Sequence, residues 1–227
     1  MKLIKKIKTL LRKTGLFGKS AKAEYIQSSQ DYWEQRYIKN KNSGAGSYGR
    51  LADFKAELIN DFVATHNIYK VIELGCGDGN QLQLAEYPQY IGFDVSKKAI
   101  DLCREMFADD DTKQFFLMDE DARLNEKADL SISLDVIYHL IEDEVFENYM
   151  NRLFNCSNRY VIIYSSNYDG FLAKHVMSRK FTDWITEHVS QEWHLKSLVK
   201  NRFPFDKSDP DNTSISDFYI YEKINLK

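Results

Sequence analysis

Hydrophobic positions in this chain alternate between two periods. Short apolar runs at Val71–Leu74, Gln89–Phe93, Gln114–Met118, Leu130–Leu134 and Tyr160–Tyr164 are separated by segments whose apolar residues recur at helical spacing. A helix from about Leu51 puts Phe54, Leu58, Ile59, Phe62 and Val63 on one face. A second, with Ser96 as its N-cap, turns Ala99, Ile100, Cys103, Met106 and Phe107 inward. A third carries Val145, Phe146, Tyr149, Met150, Leu153 and Phe154. Repeated βα units of this kind predict a mostly parallel sheet with helices on both faces. After Asn167 the pattern changes. A helix around Phe181–His188 precedes strands near Leu195–Val199 and Phe218–Glu222, which the Pro-containing loop Phe203–Ser216 joins into an antiparallel C-terminal hairpin at the sheet edge.

The N-terminal quarter reads differently. Residues 24–49 are rich in aromatics, with Tyr25, Tyr32, Trp33 and Tyr37 at mixed helical spacing ahead of a Gly/Ser loop. Residues 1–22 carry eight Lys/Arg and no acid, and Leu3, Ile4, Ile7, Leu10 and Leu11 share a helical face. Two readings stay open for this leader: weak contact of residues 1–14 with an anionic membrane surface, or a segment that is mobile or docked on the protein.

At 227 residues the chain has room for one domain with a real core. The net charge of −3 hides an acidic body behind the basic leader, so general nucleic-acid binding is not expected. Cys76, Cys103 and Cys156 are widely spaced and suit a reducing cytoplasm rather than a disulfide framework or a zinc site. No apolar run is long enough to span a membrane, and the leader lacks the pattern of a secretory signal. The expected location is cytoplasmic, with the leader leaving room for a peripheral position at the inner face of the membrane. No spacing of histidines, cysteines and acids suggests a metal site.

The candidate chemistry lies at strand ends, where open α/β sheets bind ligands. Val71–Asn80 reads VIELGCGDGN, and Asp94 follows fifteen residues after Gly79 at the end of the next strand. Glycines let the backbone approach a ligand, and the second-strand acid can accept bonds from two ribose hydroxyls. The spacing is E-x-G-x-G-x-G, starting at Glu73, and not the dinucleotide G-x-G-x-x-G. An acid before the glycines suits a nucleoside with an amino-acid end, such as S-adenosyl-L-methionine. Asp119 and Asp135 close the next two strands, so four successive strand ends carry a glycine turn or an acid.

ELGCGDGN, FDVS, LMDED and LSISLDVIYHL together resemble the class I S-adenosylmethionine-dependent methyltransferases, over about Leu51–Asn167 with FYIYEK as the last strand. SGAGSYGRLADFKAE, SLDVIYHL, RYVIIYSSN and RKFTDWI further resemble small bacterial methyltransferases of surface-polysaccharide gene clusters. The resemblance implies a Rossmann-like, seven-stranded, mostly parallel sheet over residues 23–227. Within it, residues 24–50 would close over the cofactor and residues 168–216 would supply acceptor-binding elements. Glu73, Gly75, Cys76 and Gly77 would meet the methionine portion. Asp94 would bind the ribose and Val95 would pack on adenine. Asp119, with Glu120, would meet the adenine amino group, and Asp135 would lie beside the methionine amine. Tyr37 belongs to the closing segment, and Arg50 is the candidate partner for the cofactor carboxylate.

A hydroxyl acceptor needs a base, and His139, four residues after Asp135, is the candidate, with Tyr138 shaping the pocket. The competing reading is a histidine satisfied by a backbone carbonyl. His175, Arg179, Lys180 and Arg202, with Lys174, suggest an anionic acceptor, and Tyr164 and Asn167 neutral contacts to hydroxyls. The expected function is O-methylation of a carbohydrate or a phosphorylated small precursor in capsule or O-antigen synthesis. The alternatives are N-methylation of a small amine and a non-catalytic cofactor-binding partner subunit.

Overall fold

The computed structural model describes residues 28–118 and 125–224. The basic leader, Tyr25, Asp119 and Glu120 lie outside the described residues. Helix α1 (Ser29–Ile38) opens the fold, capped by the Ser28 side chain, which accepts from Asp31 N. A loop with one 3₁₀ turn (Ala45–Ser47) leads into α2 (Gly49–Thr65). Then follow β1 (Lys70–Leu74), β2 (Gln89–Asp94), α3 (Lys97–Met106), β3 (Lys113–Leu117) and β4 (Ala128–Leu134). After α4 (Asp143–Asn155) and β5 (Ser157–Ser165) a small hairpin, β6 (Gly170–Ala173) and β7 (Val176–Ser178), precedes α5 (Phe181–His188), β8 (Trp193–Val199) and β9 (Asp217–Lys223).

The seven-stranded sheet has the order β3-β2-β1-β4-β5-β9-β8. Strands β1 to β5 pair in parallel, and β9 runs antiparallel between β5 and β8. This is the expected Rossmann-like sheet with its antiparallel C-terminal pair. The chain runs from β1 to β2 and β3 on one side and then returns to β4 and β5 on the other, so the switch point lies between β1 and β4, which is where such sheets form a crevice.

Alternate strand residues feed two cores. Val71, Leu130 and Ile162 pack with Phe54, Ile59 and Phe62 of α2 and Ile100 of α3 on one face. Ile72, Leu74, Val161 and Ile163 pack with Phe146, Met150 and Leu153 of α4 and Phe181 and Trp184 of α5 on the other. Ser96 caps α3 as expected, accepting from Ala99 N at 3.1 Å. All three cysteines are free and buried. No helix among the described residues is long and apolar enough to cross a membrane.

Hairpin β6–β7 has no counterpart in the sequence reading. Its strands are four and three residues long and broken by a register shift between Phe171 and Ala173, too short to impose a visible period.

Candidate active site

The turn after β1 is held in a shape that glycine permits. Gly75, Gly77 and Gly79 have φ of 89°, 59° and 82°. Gly75 N and Cys76 N both donate to the Phe93 carbonyl, at 2.7 and 3.0 Å, which folds the turn over the end of β2. Only a 3₁₀ segment, Gln81–Leu84, follows, so no long helix aims its N-terminus at a ligand. That agrees with the absence of dinucleotide spacing.

Asp94 lies under the turn and is 6% exposed. Its carboxylate accepts from Gly77 N at 3.0 Å and Ser96 N at 2.8 Å. Burial raises its pKa to about 6, against the opposing pull of the backbone donors. Glu73 is equally buried and accepts from the Tyr90 hydroxyl at 2.6 Å. Burial lifts it to about 7, with the Tyr90 hydrogen bond and the Lys55 charge acting the other way.

Asp135 stands at the end of β4 in the left-handed region, at φ 61°. One oxygen pairs with Lys55 Nζ at 2.8 Å; the other accepts from the Tyr138 hydroxyl at 2.9 Å and Ser216 Oγ at 3.1 Å. The Lys55 side chain is 1% exposed, and its ammonium also stands 5.3 Å from the centre of the Tyr164 ring. A Cβ on Gly46 would meet Asp135 Oδ2 at 2.6 Å, so the N-terminal loop can close here only as glycine.

His139 ends a 3₁₀ turn, Ile137–His139. Its Nδ1 lies 2.8 Å from the His175 carbonyl. A carbonyl only accepts, so the neutral ring carries its proton on Nδ1 and keeps an acceptor lone pair on Nε2. Burial pushes its pKa down to about 4, so the ring is neutral at physiological pH. The carbonyl bond and the base role, posed as alternatives in the sequence, are therefore compatible. Trp33 meets the ring edge-on at 4.9 Å.

These groups share a cavity of about 810 Å³. Of the residues expected from sequence, Glu73, Gly75, Cys76, Gly77, Asp94, Val95, Asp135, His139 and Tyr37 line it, together with Trp33. Two polar groups of the lining, Lys55 and Gln81, are among those the sequence reading did not single out. Lys55 falls in phase with buried Leu51 and Ile59, at i−4 and i+4, a spacing that marks a lysine on an apolar face. Gln81 donates its amide to the Ala52 carbonyl at 3.1 Å, while its Oε1 is buried without a hydrogen-bond partner. Ser43, from the segment expected to close over the cofactor, lines the cavity above the turn.

A strap holds the roof. Asp78, inside the glycine turn, accepts from Ser43 N at 2.8 Å and from the Tyr48 hydroxyl at 2.9 Å. Ser43 Oγ accepts from Asp78 N at 3.0 Å and pairs with the Tyr37 hydroxyl at 2.9 Å. Asn80 Nδ2 donates to the Ser47 carbonyl at 2.7 Å.

Other expected residues lie elsewhere. Arg50 does not reach the cavity: it bonds Asp209 and the Asn212 carbonyl and lies over Phe203, with its side chain 42% exposed. Its position at the start of α2 directs it to the β8–β9 loop. Arg202 forms a bidentate pair with exposed Glu57. Arg179 binds the Leu140 and Ile141 carbonyls and Asp143, and Lys180 pairs with Asp183. None of these lines the cavity, because local acids and carbonyls already hold them. Tyr164 is fully buried against Phe218 and accepts from Asn201, and Asn167 caps the start of α5 through Thr182. Tyr138 acts through Asp135, and His175 stacks on Tyr32 at 4.3 Å beside the cavity.

The residues present fit a nucleoside that carries a cationic amino-acid end. Gly75 and Gly77 bring bare backbone to the cavity wall, Asp94 offers a carboxylate, and Gln81 offers an unfilled acceptor. Among the described residues no group of histidines, cysteines and acids is arranged to hold a metal ion.

The chain matches a methyltransferase-domain family over residues 65–204. No relative among curated proteins matches it. Among solved structures, it is similar to the N-methyltransferase NodS of Bradyrhizobium japonicum WM9, in complex with S-adenosyl-L-homocysteine. There the TM-score is 0.64 at 12% identity, covering 88% of this chain and 100% of that one. The magnesium protoporphyrin IX methyltransferase of Synechocystis PCC 6803, with bound S-adenosylmethionine, gives 0.63 at 16% identity, covering 89% and 100%. The methyltransferase domain of a bacterial Hen1 protein gives 0.57 at 19%, covering 74% and 96%. At these identities the structures speak for the fold, and the family match covers more than half the chain: the protein belongs to the methyltransferase-domain family and is a methyltransferase.

Proposed function

We propose that this S-adenosyl-L-methionine-dependent methyltransferase methylates a hydroxyl of a carbohydrate in surface-polysaccharide synthesis, such as that of capsule or O-antigen. His139 carries the reading: a neutral imidazole with a free Nε2 acceptor, set in the cavity wall beside an aromatic ring. The bound cofactor supplies a methyl group on a sulfonium. Charge is lost as the methyl moves, so the protein's tasks are alignment, exclusion of water and removal of the acceptor's proton. Asp94 would hold the ribose diol. Asp135 and Gln81 offer acceptors to the ammonium of the amino-acid end, and Lys55 offers donors to its carboxylate, the part assigned from sequence to Arg50. Helix α1 and the Ser43–Tyr48 strap exclude water.

Nε2 of His139 would take the hydroxyl proton. With a pKa near 4 it is too weak to ionise a hydroxyl beforehand, so proton transfer would accompany methyl transfer. The Trp33 indole gives the apolar face of a sugar ring a surface to pack on. Arg179, Lys180 and Arg202, expected from sequence to hold an anionic acceptor, are already paired with acids and do not line the cavity.

The test is a screen of sugar nucleotides and sugar phosphates with labelled cofactor. On the acceptor found, His139→Ala is expected to lower kcat/KM by about 10²–10⁴ while calorimetric cofactor affinity is unchanged. Undiminished turnover would remove the base role and favour N-methylation of an amine, which needs no such base.

A further inference from the structure

Helix α1 has little apolar burial to keep it in place. Of its ten residues Ser29 and Tyr37 alone are buried, so packing against the sheet contributes little to its position. Yet Ser29, Trp33 and Tyr37, spaced four residues apart, all line the cavity, and this face carries the surface assigned to the acceptor. One residue beyond Trp33, Glu34 reaches across to α3. Its Oε2 accepts from the Ser96 hydroxyl at 2.5 Å and from Lys98 N at 3.3 Å. The first turn of α3 has no acid of its own, so Glu34 brings the negative charge that the N–H groups of a helix start favour.

Ser96 makes this contact more than a fastening. Its side chain is fully buried; while donating to Glu34 it accepts from Ala99 N at 3.1 Å, and its own N–H donates to Asp94 Oδ1 at 2.8 Å. A continuous run of bonds therefore joins the carboxylate assigned to the ribose with α1: Asp94 to Ser96 to Glu34, the neighbour of Trp33. We propose that Glu34 is a positioning residue, which sets Trp33, and an acceptor resting on it, in register with a cofactor held at Asp94. In-line transfer is sensitive to such placement, and a misplacement of about 1 Å can cost about 10²-fold in rate. The other supports of α1 lie elsewhere. Glu142 accepts from Ser29 N at the helix start, Tyr32 stacks on His175, and Tyr37 bonds Ser43 at the helix end. They fix the two ends and the side toward hairpin β6–β7, whereas Glu34 fixes the turn that carries Trp33. The use of Trp33 as an acceptor surface rests on the proposed function; the hold of Glu34 on the helix does not.

The test compares the full chain with Glu34→Ala and with Glu34→Gln, which keeps an acceptor oxygen but no charge. Amide hydrogen exchange at Trp33–Ile38 reports the opening of α1. It should run about tenfold faster in Glu34→Ala and rise less in Glu34→Gln, with α2 and α4 at the wild-type rate. Trp33 gives a second signal. The other two tryptophans, Trp184 and Trp193, are buried, so acrylamide quenching reads mainly Trp33 and should increase in the same order. That increase should vanish in a Trp33→Phe background. With an acceptor supplied by the screen, kcat/KM should fall about tenfold in Glu34→Ala and recover in part in Glu34→Gln. Unchanged exchange in α1, unchanged quenching, or exchange that quickens alike in every helix would each overturn the proposal, the last by making Glu34 a contributor to general stability. An undiminished kcat/KM would overturn it too. Exchange and quenching need no acceptor, so a failed His139 reading leaves both standing.

Discussion

Asp94 is buried, yet its oxygens accept two backbone donors, and the balance leaves its pKa at about 6. The ionised carboxylate is what two ribose hydroxyls can bond. Below about pH 6 the free protein holds a proton that must leave before they do. Cofactor affinity is therefore expected to be level above about pH 7 and to weaken about tenfold per unit below about pH 6. Glu73, lifted to about 7, titrates in an adjoining window, so calorimetry in a Glu73→Gln background isolates Asp94; a flat profile there would refute its role. Folding follows the same values. The folded carboxyl holds its proton more tightly than an ordinary aspartate, so this group's contribution to stability falls as pH rises from about 4 to about 6 and is constant above. At this scale the sequence was informative where a residue's neighbours in the chain are also its neighbours in space. Asp94, Glu73 and the glycines were legible because strand and turn fix them locally. Lys55 was legible in principle from its helical phase. Arg50 was misassigned because its partners Asp209 and Asn212 lie some 160 residues downstream.

At the scale of elements, the segment from α1 to Tyr48 is fastened to the glycine turn chiefly through one side chain, Asp78. Besides Asn80 N, its carboxylate takes two donors from that segment, Ser43 N and the Tyr48 hydroxyl, and Asp78→Asn weakens both by removing the charge. A loss of about 1.4 kcal/mol corresponds to a factor of ten. The dissociation rate of S-adenosyl-L-homocysteine, read by stopped-flow displacement, should rise about tenfold in Asp78→Asn; an unchanged rate would mean that the strap is not the barrier. The core strands and helices α2 to α5 declared themselves because each buries a full face and so imposes a period. Helix α1 buries only Ser29 and Tyr37, and β6–β7 is too short to carry a pattern. The elements that frame the acceptor side are therefore those the sequence describes least.

At the scale of the molecule, the C-terminal strands and the loop between them are tied to the rest of the fold by contacts at the rim. Ser216 reaches Asp135, Arg202 reaches Glu57, and Arg50 reaches the loop before β9. The last is an exposed pair, so Arg50→Ala should cost less than about 1 kcal/mol by chemical denaturation and leave cofactor affinity intact. A large loss of affinity would return Arg50 to the site. One consequence of the strap concerns the order of events during turnover. Helix α1 carries Trp33, the wall against which an acceptor would rest, and the same segment roofs the glycine turn. Exchange of the nucleoside requires that roof to lift, which dismantles the acceptor wall. The kinetics should accordingly be compulsory: cofactor first, acceptor second, methylated product out, demethylated nucleoside last. S-adenosyl-L-homocysteine should then inhibit competitively against the cofactor and noncompetitively against the acceptor, a pattern that initial-rate measurements with both substrates varied will show or deny.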